Sequence, residues 1–262
     1  MKNLPEFKVK HDKNYLPFLK ASEIDEHASL FLKSYSEANQ KYSITVPQKT
    51  PIEEIIELYC GITLDYQDFE DENILGMTTF SSGNISVLKD DKVQNYFVKK
   101  GTIIISNSLV EDDSQQGRFF YTLAHELGHN VYHRKYYEEP DYSNQPMLFD
   151  FEVQESIAVS CHRDNIENLN NTWQRNWPEW QADYFASCVL MPKEAVINFW
   201  KDFIPDEIEF ELGTAPKCYL YDMDWNKRKQ LFDDFVNTFA VSKKAARIRL
   251  EKLNYLDRNC IL

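Results

Sequence analysis

His125, Glu126 and His129, in the run His125-Glu126-Leu127-Gly128-His129, are residue types whose spacing can hold a metal ion and move a proton beside it. On a helix advancing about 100° per residue the two histidines stand roughly 40° apart, so both imidazoles reach one ion. Glu126 lies about 60° round from His129, where it can take a proton from water at the metal without ligating, as a general base must. A surface histidine pair beside an unrelated glutamate would give the same five letters. Phe120, Leu123, Leu127 and Val131 argue against that, because their three-to-four spacing makes an apolar stripe opposite the histidines. The predicted helix has a core side and a chemical side.

A catalytic zinc ion needs a third protein ligand and an open position. Residues 176–192 predict a second helix, with Pro178 in its first turn and Pro192 stopping it. Ala182, Phe185, Ala186, Val189 and Leu190 supply its buried face, and Glu179 and Asp183, four apart, project from one side. That spacing makes Glu179 the candidate third ligand and Asp183 the acceptor for the N–H of a ligating imidazole, which would fix the tautomer. Alone, the acidic pair reads as solvated; after His125 and His129 it reads as part of a site.

The chain resembles the ImmA/IrrE family of zinc metallopeptidases, small cytoplasmic proteins with a gluzincin-like HExxH site. Gly76-Met77-Thr78-Thr79-Phe80, then Thr102-Ile103-Ile104-Ile105-Ser106, then Arg118-Phe119 and finally residues 179–192 resemble the family's segments in order, so the likeness spans residues 47–192. The resemblance implies His125, His129 and Glu179 as zinc ligands, Glu126 as catalytic base, and Asp183 at a position where the family has Asn or Asp. It further implies a regulatory endopeptidase whose protein substrate is a cytoplasmic helix-turn-helix transcriptional repressor. The alternative is a metal-containing regulatory binding module that sequesters a DNA-binding protein without cleaving it. Glu126 separates the two, since a structural metal site needs ligands but no base.

One departure from the family pattern is the long segment 134–177 between the zinc helix and the third-ligand helix, which leaves the course of the substrate groove open. It contains Cys161 and His162, candidate accessory groups that could ligate or donate to a transition state; the blander reading is a buried Cys beside an exposed His. His133, four beyond His129, lies on the ligand side but too early for the longer metzincin pattern, which also needs an intervening glycine. It reads as a helix-terminal histidine or one supporting a ligand.

The elements that must position these groups give an α+β fold: a zincin-like metallopeptidase core with a small β-sheet packed on the zinc helix, an N-terminal helix and C-terminal helix-turn-helix-like helices. Three divisions are expected: an N-terminal helical segment 1–46, the metallopeptidase domain 47–200 and a C-terminal helical region 201–262. Ile24, Ala28, Phe31 and Tyr35 predict a helix over 21–36 behind a Ser22 cap, and Ile52, Ile55, Ile56 and Tyr59 a short helix ending near Gly61. Strands are expected at 62–65, 76–80, 84–88 and 101–106 in one sheet, with Ser82-Gly83-Asn84 as the turn between the middle two. An edge strand of that sheet could take up an extended substrate by strand addition.

Past Pro192, Phe199 to Phe203 is expected to continue a helix, followed by a loop beginning at Ile204-Pro205-Asp206 and a solvated acidic stretch, 206–211. Phe232, Phe235, Val236 and Phe239 form a helical stripe, and Ser242 caps a second helix carrying Ala245, Ala246, Ile248, Leu250 and Leu253. Lys243, Lys244, Arg247, Arg249 and Lys252 make this pair locally basic, yet packing on the body or on a protein partner is expected over DNA readout. A net charge of −13 argues against direct nucleic-acid binding; it would speed encounter with a basic DNA-binding protein, and serves equally as a solubility feature. No apolar run is long enough for a bilayer and the N-terminus lacks a signal-peptide core, so a cytoplasmic protein without membrane contact is expected. Five cysteines without short repeated spacing indicate no disulfide framework, and Cys188 reads as packing.

Overall fold

Apolar spacing decides which face each element buries, and the computed structural model shows where those faces meet. It describes residues 3–138, 158–162, 176–201 and 224–256, with the backbone alone for 158–162. Helix α1 (Ala21–Ala38) buries Ile24, Ala28, Phe31, Leu32 and Tyr35. Its start differs from the expected Ser22 cap: Lys20 is the cap residue, and its N–H donates to Glu23 Oε2 at 2.7 Å, so a carboxylate one turn in satisfies the helix entrance. Helix α2 (Ile52–Glu54) runs into a π-helical turn, Ile55–Tyr59, and ends as expected at Gly61, whose φ of 65° suits glycine.

The four expected strands exist but do not form one sheet. Strands β1 (Leu64–Gln67), β2 (Ile74–Thr79) and β5 (Ile103–Ser106) join β6 (Ala158–His162) in the order β1-β5-β2-β6. β1 runs parallel to β5, whereas β2 is antiparallel to both β5 and β6. β3 (Gly83–Lys89) pairs instead with β4 (Lys92–Val98) as a separate antiparallel hairpin. The hairpin turn is Asp90-Asp91, both with positive φ (51° and 59°); the turn expected at Ser82-Gly83-Asn84, between β2 and β3, falls earlier, since Gly83 and Asn84 already belong to β3. Positive φ at both central residues matches the twist of the flanking strands, and aspartate tolerates that conformation better than most residues.

The short helix α3 (Asn107–Val110) leads to α4 (Gln116–Tyr132), which carries His125, Glu126 and His129 and is followed by α5 (Arg134–Tyr137). α6 (Trp177–Leu190) packs along α4 so closely that a Cβ at Gly128 would stand 3.0 Å from Ala182 Cα. Any larger residue would press the two backbones apart by a few tenths of an ångström, and this close approach carries Glu179 to the histidines. The sheet covers the other side of α4, so both its apolar stripe and its histidine face are internal. Ile24, Leu32, Ile55, Leu123, Phe185, Val189, Phe235 and Leu250 belong to one hydrophobic core, while Met77, Ile85, Val87 and Ile104 form a smaller one under the hairpin.

α7 (Lys193–Lys201) continues the path after Pro192; Phe203, the loop 204–206 and the acidic stretch 206–211 lie outside the described residues. The C-terminal pair, α8 (Trp225–Phe239) and α9 (Lys243–Lys252), docks on the body. Ser242 caps α9 as expected, accepting from Ala245 N at 3.2 Å. Arg249, however, turns inward: it donates to Asp25 Oδ1 (2.7 Å), Cys188 Sγ (3.2 Å) and Met191 O (3.1 Å), bolting α9 to α1 and α6. Cys188 is therefore part of a polar junction as well as packing. Among the described residues, no helix is long and apolar enough to cross a membrane.

Candidate metal centre

α4 and α6 bring His125, His129 and Glu179 together, all three buried. The two Nε2 atoms are 3.0 Å apart, and the Glu179 oxygens lie 3.3 Å from His125 Nε2 and 3.4 Å from His129 Nε2. Ligands 2.0–2.1 Å from a tetrahedral ion would be separated by about 3.4 Å, so this triangle has the size a zinc ion needs. Asp183, one turn along α6, sits where it was expected, its Oδ1 2.9 Å from His125 Nδ1. Tyr121 donates to Asp183 and steadies it, at 3.2 Å to the carbonyl and 3.3 Å to Oδ1.

Hydrogen bonds dictate the tautomer of each histidine. The Pro17 carbonyl can only accept, so the Gln181 amide nitrogen donates to it (2.8 Å) and Gln181 Oε1 faces His133. His133 Nε2 must then donate to Oε1 (2.8 Å), leaving Nδ1 of the neutral ring as an acceptor for His129 Nδ1–H at 3.0 Å. Burial, together with neighbouring His129, lowers the pKa of His133 to about 3 and keeps it neutral. His125 likewise gives its Nδ1–H to Asp183, so two Nε2 lone pairs point into one space 3.0 Å across. Such a pair calls for a cation. Burial pushes the Glu179 carboxyl upward, but with both imidazoles protonated their hydrogen bonds and charge outweigh it and hold it well below the usual range; with both neutral, in the tautomers above, a metal ion in the same place would supply that positive charge. These donors fit the implied metal.

Glu126 is fully buried, and its two oxygens are treated differently. Oε2 accepts from Thr78 Oγ1 at 2.6 Å, whereas Oε1 has no hydrogen-bond partner among the described residues. One oxygen is pinned and the other is left to handle a proton. Burial raises the pKa of this carboxyl, against the nearby imidazoles of His125 and His129 and the Thr78 hydroxyl. A raised carboxylate is a stronger base. Gly76 lets β2 come this near, since a Cβ there would meet Thr122 Cγ2 at 2.5 Å and Glu126 at 3.2 Å.

His133 lies outside the group that could hold the metal and hydrogen-bonds His129 at 3.0 Å. Cys161 and His162 lie on β6, opposite Gly76 and Ile74 in register, and their side chains fall outside the described residues. Sequence reasoning passed over Thr78, Gln181 and Pro17, which act through contacts distant in the chain. It also missed Tyr137, whose ring stacks on Phe80 at 5.0 Å and meets His129 edge-on at 6.2 Å. Burial, with the charges of Glu179 and Glu126 nearby, pushes its hydroxyl far up, so it stays protonated beside the site. An aromatic four residues beyond His133 was the available signal.

The model of the peptidase M78 family, described as an IrrE N-terminal-like domain, matches residues 60–251. Among the curated proteins, none matches the chain.

Proposed function

The chain belongs to the peptidase M78 family, and from that premise we propose that it is a zinc-dependent endopeptidase that cleaves a cytoplasmic helix-turn-helix transcriptional repressor. The observation that carries the catalytic reading is Glu126: a buried carboxylate with Oε2 held by Thr78 and Oε1 unpartnered, beside a three-ligand set. A purely structural or sequestering site has no use for it. A bound zinc ion supplies Lewis acidity for the scissile carbonyl and brings the pKa of water toward about 7. Glu126 Oε1 takes the proton from the attacking water and returns it to the leaving amine nitrogen. His129 is kept in its Nδ1–H form by His133, and His125 by Asp183, so neither ligand needs to exchange tautomers during the reaction.

The choice of a repressor as substrate is supported by the family resemblance and by a net charge of −13, which favours encounter with a basic DNA-binding protein. The test is Glu126→Gln, assayed by mass spectrometry of a candidate repressor. The variant is expected to keep full zinc content and lose cleavage by about 100-fold or more. Equal cleavage by both proteins would sink the mechanism.

A further inference from the structure

We propose that β6 is a built-in occupant of the substrate edge: residues 158–162 lie along β2 where an extended peptide would pair, and the peptidase blocks itself until that strand is displaced. This rests on the peptidase reading above. β2 is the strand that touches the base, through Thr78 Oγ1 on Glu126 Oε2 at 2.6 Å and the close approach of Gly76. A peptide presented to Glu126 by strand addition would therefore pair with β2.

One edge of β2 is already used inside the fold. Thr79 N–H donates to Thr102 O (3.0 Å) and Thr79 O accepts from Gly101 N (2.8 Å), both on the β5 side. Backbone groups alternate along a strand, so the N–H and C=O of Thr78 and Gly76 point to the opposite edge. There β6 runs antiparallel, with Val159 opposite Thr78 and Cys161 opposite Gly76. By the same alternation, these are the pairs placed to exchange hydrogen bonds.

Neighbouring strands lie about 4.8 Å apart, so a substrate paired with β2 would need the lane β6 takes. A peptide added beyond β6 would run about 10 Å from β2, out of hydrogen-bond reach of its backbone. The occupant is five residues long, and its register shifts between Ile74 and Gly76, so the ladder is regular only from Gly76 to Thr79. A substrate strand would replace the same backbone hydrogen bonds, which makes the exchange a competition of like with like. A structured partner that captures residues 158–162, or a substrate with a better strand, would open the site without moving the ligand helices.

The experiment uses the full-length zinc-loaded protein and Val159→Pro/Cys161→Pro, which removes the two N–H donors facing Thr78 and Gly76. Amide exchange at Gly76 and Thr78 is expected to be slow in the wild type and roughly tenfold or more faster in the variant, with Met77 and Thr79, on the β5 side, unchanged. Cleavage of carboxymethylated casein is expected to rise about tenfold, and a synthetic peptide of residues 154–166 to inhibit the variant more than the wild type. Should the double variant misfold, as shown by lost protection at Met77 and Thr79, Val159→Pro alone is read in the same way.

Wild-type exchange at Gly76 and Thr78 as fast as in the variant would overturn the placement of β6, whatever the cleavage. An opened edge with unchanged casein cleavage would overturn the block and make β6 a permanent fourth strand. No cleavage by either protein, with exchange as expected, would overturn the peptidase reading and the block with it, while leaving the strand pairing established.

Discussion

A carbonyl oxygen cannot donate, and that fact at Pro17 propagates through Gln181 and His133 to fix which nitrogen of His129 is free for a metal. Gln181→Leu removes the relay at its second link and leaves His133 free to take the other tautomer. Zinc affinity is expected to fall about 10- to 100-fold with the fold retained, measured by competition with a chelating dye. Thr78→Val probes the other side of the site. It leaves Glu126 Oε2 buried without its donor, which raises further a pKa that burial has already raised. A base must be ionised to act, so the acid limb of the kcat/KM profile should move to higher pH, with roughly tenfold less activity at neutral pH. An unmoved limb would show that Thr78 does not act on the base.

Among the elements, α9 is held by a buried ion pair as well as by apolar packing. Arg249 is almost wholly buried and reaches Asp25 on α1 at 2.7 Å. Burial pushes the Asp25 carboxyl up, but the charge and hydrogen bond of Arg249, with bonds from Cys188 and Tyr184, bring it below its ordinary 3.8. A carboxylate with a depressed folded pKa contributes stability above about pH 4, and that contribution is lost as pH falls through the folded value. Asp25→Asn leaves Arg249 charged and unpaired and should cost about 3–5 kcal/mol, read from urea midpoints at pH 7. Asp25→Leu/Arg249→Met should recover most of it, because removing both charges leaves none buried alone. If Asp25→Asn were neutral, the junction would not be what holds α9.

For the whole molecule, the charge balance bears on what it can bind. Of the five basic residues on α9, Arg249 is buried in the junction, Lys243 pairs with Asp233 at 2.6 Å and Arg247 pairs with Glu251 at 3.0 Å. A helix so neutralised, on a chain of net charge −13, offers few cations for phosphate. Titration of the full chain into duplex DNA is expected to show no binding whose affinity falls steeply with added salt. A salt-sensitive, sequence-selective complex would turn α8 and α9 into a targeting module and reverse this expectation.

What the sequence determined by itself was local. Helical periodicity encodes relative orientation within a few residues, so His125, Glu126 and His129, and separately Glu179 and Asp183, could be placed on shared faces from spacing alone. Pro178, Pro192, Gly61 and Ser242 marked helix ends through their own backbone or side-chain chemistry. The tertiary structure decided everything that depends on one segment meeting another. Strand pairing is such a case: the alternation in β3 and β4 cannot say that they leave the sheet, and nothing in residues 158–162 announces β2 as their neighbour. The Thr78 hydroxyl on Glu126 and the chain from His129 to Pro17 are also of this kind, because a hydrogen bond between distant residues leaves no periodic mark in either segment.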